Sequence, residues 1–313
     1  MNFTSLIVLL TIIFFYSWQA SRDVKLENST VWEHFKPSFQ QYSGFRELLL
    51  FVVFLLLYKL SRGLAIGDEA TAFANAQKVI EWEHQMGILY ELPTQQYFLD
   101  KVSVVKIINW IYIKLHIPTT IIFFVWLFYK KRKHYLFIRN GFLVANVITL
   151  FFFVRFPCAP PRMINEIVGN PYAAFGGEVL NNLNNLGILL GDGFIDTLNH
   201  ISGINLYKGI NSKLFNQFAA MPSMHFGNSL LIALGVYLYA KKNLVKTLIW
   251  IYPMFVLLVI VMTGNHFFLD AVLGGIIVLF PYAMMILLER FFPQWRYKFR
   301  GSESFLKINK DQK

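Results

Sequence analysis

Gly264-Asn265-His266-Phe267-Phe268-Leu269-Asp270 stands at the head of an apolar run that reaches residue 289, and the fold is decided there. A run of this length can cross a bilayer, which takes about 20 apolar residues. Its head carries a histidine and a carboxylate four residues apart. On a helix those two share a face, so Asp270 can hold one ring nitrogen of His266 and leave the other free. An imidazole oriented that way serves as a nucleophile or general base. The same short spacing, met alone, also suits a helix-end pair bonded to water or backbone. Ionisable residues at membrane depth are costly, however, and tend to face a protein interior or cavity.

Two further stretches add polar groups to apolar surroundings. Met221-Pro222-Ser223-Met224-His225 opens another apolar run. Pro222 suits a helix's first turn, where its missing N–H costs nothing, and Ser223 can cap the helix or bind a phosphate oxygen. Taken alone, His225 reads as a structural helix-start residue before it reads as a catalyst. Upstream, Arg155-Phe156-Pro157-Cys158-Ala159-Pro160-Pro161-Arg162 carries two arginines. Arg155 ends an apolar helix and can snorkel to the interface. Arg162 follows a proline pair that restricts the backbone, and a rigid guanidinium suits a phosphoryl group: planar donors and permanent charge.

The 313 residues are 56% hydrophobic and only 15% charged, against about a quarter charged in soluble domains. The apolar residues fall in blocks near 3–18, 46–61, 104–129, 135–154, 222–240, 247–263 and 266–289. That pattern marks an all-α polytopic, integral membrane protein. The net charge of +11 does not indicate a nucleic-acid partner. Its clusters (Lys130-Lys131-Arg132-Lys133, Lys241-Lys242 with Lys246, and Arg296 to Arg300) lie just outside apolar runs, as the positive-inside rule expects. Cys158 is the only cysteine, so no intrachain disulfide forms, and it reads as a small apolar residue. Residues 5–16 read as a retained membrane segment rather than a removed signal peptide.

Loop charge sets the expected sidedness. The basic loops 130–134 and 241–246 and the tail after Glu289 fall on the cytoplasmic side. The segment 62–102, with three basic and six acidic residues, falls opposite, and so does 155–221. Arg155, Arg162, His225 and His266 are thereby expected at the extracytoplasmic (luminal or outer) face. Sequons at Asn2 and Asn28 are the kind of triplet that recurs by chance. Segment 66–101 reads as amphipathic helices, with Val79, Ile80, Trp82, Met86, Ile88 and Leu89 at the interface. Glu81, Glu83 and Glu91 then face water or the site. The long polar stretch 163–220 reads as an ordered cap built on Val179, Leu180, Leu183, Leu186, Leu189 and Leu190. The expected division is a membrane segment and linker over 1–45, a catalytic domain over 46–291 with its core at 135–290, and a basic cytoplasmic tail over 292–313.

The chain has no P-loop, no H-E-x-x-H, no G-x-S-x-G, no cysteine–histidine metal spacing and no acidic cluster suited to Mg²⁺. No cofactor or metal is called for, and arginines are left to neutralise charge. The order and chemistry of Arg155-Phe-Pro…Arg162, Pro222-Ser-Met-His225 and His266-x-x-x-Asp270 resemble the type-two phosphatidic acid phosphatase superfamily over about 135–290. Gln77 to Phe98 and Ala-Pro-Pro-Arg162 resemble one branch of it, the inositol phosphorylceramide synthase-like transferases (inositolphosphotransferases).

That resemblance implies a six-helix catalytic core, with or without an extra N-terminal span. It implies that His266 attacks phosphorus and forms a phosphohistidine, that Asp270 orients it, and that His225 protonates the leaving oxygen. Arg155, Arg162 and Ser223 would bind the phosphate. The chain departs from the phosphatase pattern in three places. Ile148 stands where that pattern has lysine, Ile260 where it has arginine, and Met224 where it has glycine. The expected activity is therefore transfer of a phospho-head group from a membrane phospholipid to a lipid or alcohol acceptor, with a place in sphingolipid or other lipid metabolism. The alternatives are a lipid phosphate phosphatase or pyrophosphatase and, from another class, a non-enzymatic lipid-binding or transport scaffold. The sequence leaves the lipid and the oligomeric state open.

Overall fold

The computed structural model describes residues 47, 49–54, 56 and 58, then 68–167, 169–206 and 216–293. The expected span 3–18, both sequons and the basic cluster at Arg296–Arg300 lie outside the described residues, and 46–61 lies partly outside. Among the described residues the regular elements are helical, with two isolated bridge pairings, Cys158 with Ala219 and Asn165 with Gly193. In chain order the helices are α1 (Glu69–Gln85), α2 (Glu91–Leu99), α3 (Val102–Lys114), α4 (His116–Lys130), α5 (Arg132–Arg155), α6 (Ala173–Asn185), α7 (Thr197–His200), α8 (Met224–Tyr239), α9 (Asn243–Leu248), α10 (Ile251–Met262) and α11 (Phe268–Phe291).

His134–Arg155, Asn243–Met262 and Phe268–Phe291 are long and apolar enough to cross a membrane. The pair α3 and α4 makes a fourth if counted as one bent span. The chain is an all-α integral membrane protein. Ile251, Met254, Ile117 and Ile122 are exposed, which in this chain is surface for lipid. The expected straight helix over 104–129 is broken at Leu115, with a bend of 49°. Pro118 explains it: it offers no N–H to the Lys114 carbonyl, and its ring crowds that group. Proline is tolerated where it stands, in the first turn of α4. The expected helix over 222–240 is the 16-residue α8, about 24 Å long and shorter than a full span.

The chain divides into two compact units. Of the described residues, one comprises those up to 58 together with 124–147 and 279–293. In it Arg139 donates to both Glu47 oxygens at 2.7 Å, and Tyr135 Oη donates to Glu47 at 2.9 Å. Gly141 lies against the Tyr282 ring, where a Cβ would clash, and Tyr282 Oη donates to the Ile138 carbonyl at 2.8 Å.

The other unit comprises 62–123 and 148–278. Its core joins α1 (Ala72, Phe73, Ala76, Val79, Ile80), the 158–164 segment and α6 (Val179, Leu180, Leu183). Val79 and Ile80 are therefore core residues rather than interfacial ones, whereas Trp82 and Met86 are exposed. Likewise α6 buries Val179, Leu180 and Leu183, while Leu186 and Leu189 face outward. The amphipathic stripe of α6 ends with the helix, because Gly187 and Gly191 turn the chain at positive φ.

Candidate active site

The loop between α10 and α11 carries His266. Gly264 turns it at φ +65, and a Cβ there would press on the Gln95 amide and the Arg162 backbone. The Arg162 N–H donates to the Gly264 carbonyl at 2.7 Å, while the Asn265 and His266 amides both donate to the Ile260 carbonyl. His266 is only 5% exposed. Its Nδ1 lies 2.8 Å from the Ala220 carbonyl and 3.4 Å from Asp270 Oδ2. A carbonyl only accepts, so Nδ1 carries the proton and Nε2 is left with its lone pair. Asp270 Oδ2 meanwhile accepts from the Phe267 N–H at 2.9 Å. The expected His266–Asp270 pair is thus present, but a backbone carbonyl is the closer partner of the ring.

Chain pairing brings that carbonyl into place. The Cys158 N–H donates to Phe218 and the Ala220 N–H donates back to Cys158. Cys158 is buried, and burial pushes its thiol well above the ordinary range. Such a thiol is inert, and its role is packing.

His225 lies half-buried in the first turn of α8. Its ring centroid is 5.6 Å from that of His266, 4.3 Å from His116 and 4.6 Å from the stacked Tyr112 ring. His116 Nε2 also lies 3.4 Å from Asn228 Nδ2. Two glycines let α8 and α11 approach this closely: a Cβ on Gly274 would strike the Ser223 backbone, and one on Gly227 would strike the Gly274 carbonyl. Ser223 is the N-cap of α8, its Oγ accepting from the Phe226 N–H at 3.5 Å, and its own N–H donates to the Asp270 carbonyl at 2.8 Å. Pro222 stands before the cap rather than in the first turn, so α8 begins two residues later than its proline suggests.

Arg162 is buried in a short 3-10 turn, Pro161–Met163. Its Nη1 donates to Asn265 Oδ1 at 2.6 Å, Nη2 lies 3.5 Å from Gln217 Oε1, and Nε lies 3.8 Å from Asp196 Oδ2. That places a fixed guanidinium next in space to the residue preceding His266. Arg155, the last residue of α5, is exposed, with its guanidinium over the Phe151 ring at 5.6 Å. Of the expected site residues, His225, His266, Asp270, Ser223 and Arg162 form one contiguous group. No described contact joins Arg155 to it.

Four further residues belong to this neighbourhood. Glu91 Oε1 accepts from the Phe268 N–H at 2.6 Å, and Glu83 Oε1 from the Leu269 N–H at 2.7 Å. Gln95 accepts from the Ile195 N–H and donates to the Ile195 and Met262 carbonyls. Burial, and then the adjacent Glu91 carboxylate, push Glu83 up to about 10. Burial raises Glu91 too, against the pull of hydrogen bonds from Glu83 and the Phe268 amide. His116 is the fourth, and its signal in the sequence was a single imidazole inside an apolar run. Among the described residues no group of three or more His, Cys, Asp or Glu is arranged to hold a metal ion.

Compared with known families, residues 77–284 match the model of the PAP2 superfamily. No curated protein and no solved structure matches the chain.

Proposed function

The chain belongs to the PAP2 superfamily and is a phosphatase- or phosphotransferase-type lipid enzyme of the membrane; from that premise we propose that it transfers a phospho-head group between lipids through a phosphohistidine on His266. The observation that carries this reading is the 2.8 Å contact of His266 Nδ1 with the Ala220 carbonyl. It supports a single tautomer whose Nε2 attacks phosphorus. As the P–N bond forms, the P–O bond to the donor's alcohol breaks. His225 gives a proton to that oxygen. In the second half His225 takes the proton of the acceptor hydroxyl, whose oxygen displaces His266 from phosphorus. Asp270, 3.4 Å from Nδ1, favours the cationic imidazole that accompanies attack. Arg162, Arg155 and Ser223 would hold the phosphate oxygens, Arg155 by swinging from its exposed position.

Transfer is favoured over hydrolysis by what fills position 260. Ile260 is fully buried in an apolar cluster with Val261 and Ala271, where a phosphatase-type arginine would stand. Fewer cations suit a phosphodiester, with one negative charge, better than a phosphomonoester dianion. This reading carries the inositol phosphorylceramide synthase-like branch with it. The basic loops support a site at the extracytoplasmic face.

The test is purified protein with a panel of phospholipids, with and without ceramide or diacylglycerol, and products read by mass spectrometry. An exchanged head group is the expected product. Free phosphate from a phosphomonoester, with no exchange, would replace transfer by hydrolysis.

A further inference from the structure

The first turn of a helix has N–H groups with no intrahelical partner, and at α11 three carboxylates take them. Asp270 takes Phe267, Glu91 takes Phe268 and Glu83 takes Leu269. Two of these acids come from α1 and α2, more than 170 residues away in sequence. Both are buried, Glu83 at 0% and Glu91 at 1% exposure. Their second oxygens, both Oε2, have no other hydrogen-bond partner. With no cation beside them among the described residues, two buried carboxylates cannot both be charged, and one proton between the two oxygens satisfies them. The raised values of both acids agree with that.

We infer that Glu83 and Glu91 are a proton-sharing carboxyl pair that positions the His266 nucleophile by seating the first turn of α11, an inference that rests on the catalytic role proposed for His266. His266 lies two residues before Phe268, so a shift of that turn moves the imidazole. Gln95 holds the other end of the loop through the Met262 carbonyl at 3.3 Å. The loop is thereby clasped at both ends from α2. Neither glutamate touches the reacting atoms, and both act through the backbone.

The pair makes an unusual demand on substitution. In Glu83→Gln or Glu91→Gln alone, the amide oxygen still accepts its backbone N–H. The amide NH₂ donates to the remaining carboxylate, as the shared proton does. In the double glutamine variant two NH₂ groups face each other with no acceptor. Turnover of bis(para-nitrophenyl) phosphate by the full chain in mixed micelles reads this out. Each single variant is expected to lose less than about threefold in kcat. The double variant is expected to lose about a hundredfold in kcat with KM little changed. A double loss equal to the product of the singles would overturn the shared-proton pair. Hydrogen exchange at the Phe268 and Leu269 amides gives a readout independent of activity. Both are expected to be protected in wild type and singles and opened in the double, and equal protection in all four would overturn the inference. If wild type shows no turnover but exchange follows this pattern, the proposed reaction falls and the clasp stands. Should the double variant not accumulate, Glu83→Asp, too short to reach Leu269, is expected to lower kcat and open that amide. Unchanged kcat and protection there would sink the pair.

Discussion

Among the buried glutamates, Glu47 on one side and the pair Glu83 and Glu91 on the other are satisfied in opposite ways. Both Glu47 oxygens accept from Arg139 Nη1 at 2.7 Å, with Tyr135 Oη adding a third hydrogen bond. Glu83 and Glu91 meet the Leu269 and Phe268 amides and each other. In the first arrangement a cation and a hydroxyl satisfy the anion, Asn140 Oδ1 takes the rest of the guanidinium, and the group fixes its own unit. The second has no cation among the described residues and spends its acceptors on the turn that follows His266. Buried charge is weak evidence for stability when paired, but a buried acceptor aimed at an active-site backbone is evidence of positioning. A carboxylate's partner, rather than its burial, tells the two roles apart.

That contrast can be broken experimentally. The largest effect is expected from Arg139→Ala, which strands Glu47: about 3–5 kcal/mol of stability lost, read as a fall in thermal midpoint, with turnover per folded molecule retained. Loss of turnover without loss of stability would erase the distinction. Next, His225→Ala is expected to cost about 10²–10⁴ in kcat on a lipid alcohol leaving group and far less on an activated aryl phosphate. Equal losses on both would remove the general-acid role. Smaller is Glu47→Met with Arg139→Leu together, expected to shift stability by less than about 2 kcal/mol, since well-packed hydrocarbon replaces a satisfied pair.

The smallest effect is on pH. The folded-state value of Glu83 lies above its unfolded one, so its contribution is complete below about 4.5, shrinks as pH rises, and is gone above about 10. The charges of Glu91 and Asp270 push Glu83 in that same direction. Thermal midpoints are expected to fall by a few degrees from pH about 8 to about 10.5. In Glu83→Gln, whose amide donates at any pH, that fall should be absent. An identical slope in the variant would place the titration elsewhere.

The span blocks and the residue types at their heads were legible in the chain because hydropathy and rare polar groups are local signals. His225, His266, Asp270 and Arg162 declared themselves as costly residues in apolar surroundings. Three features were not legible. The Ala220 carbonyl that fixes the His266 tautomer is backbone, and its placement depends on pairing between Cys158 and 218–220. Glu83 and Glu91 sit in amphipathic helices, where the sequence left them facing water or the site, and only their bonds to the Leu269 and Phe268 amides decide between the two. The bend at Leu115 was written in Pro118, but a proline near the middle of a 26-residue apolar run does not say which way His116 is aimed.

The most direct measurement is on the intermediate itself. Purified protein is mixed with a phosphodiester lipid labelled at phosphorus and quenched in alkali within the first turnover. Its peptides are then sequenced by mass spectrometry. Label on the peptide containing His266, lost in His266→Ala and discharged on adding an acceptor alcohol, is the expected result. Turnover that proceeds with no label there, or with label on another residue, would contradict it.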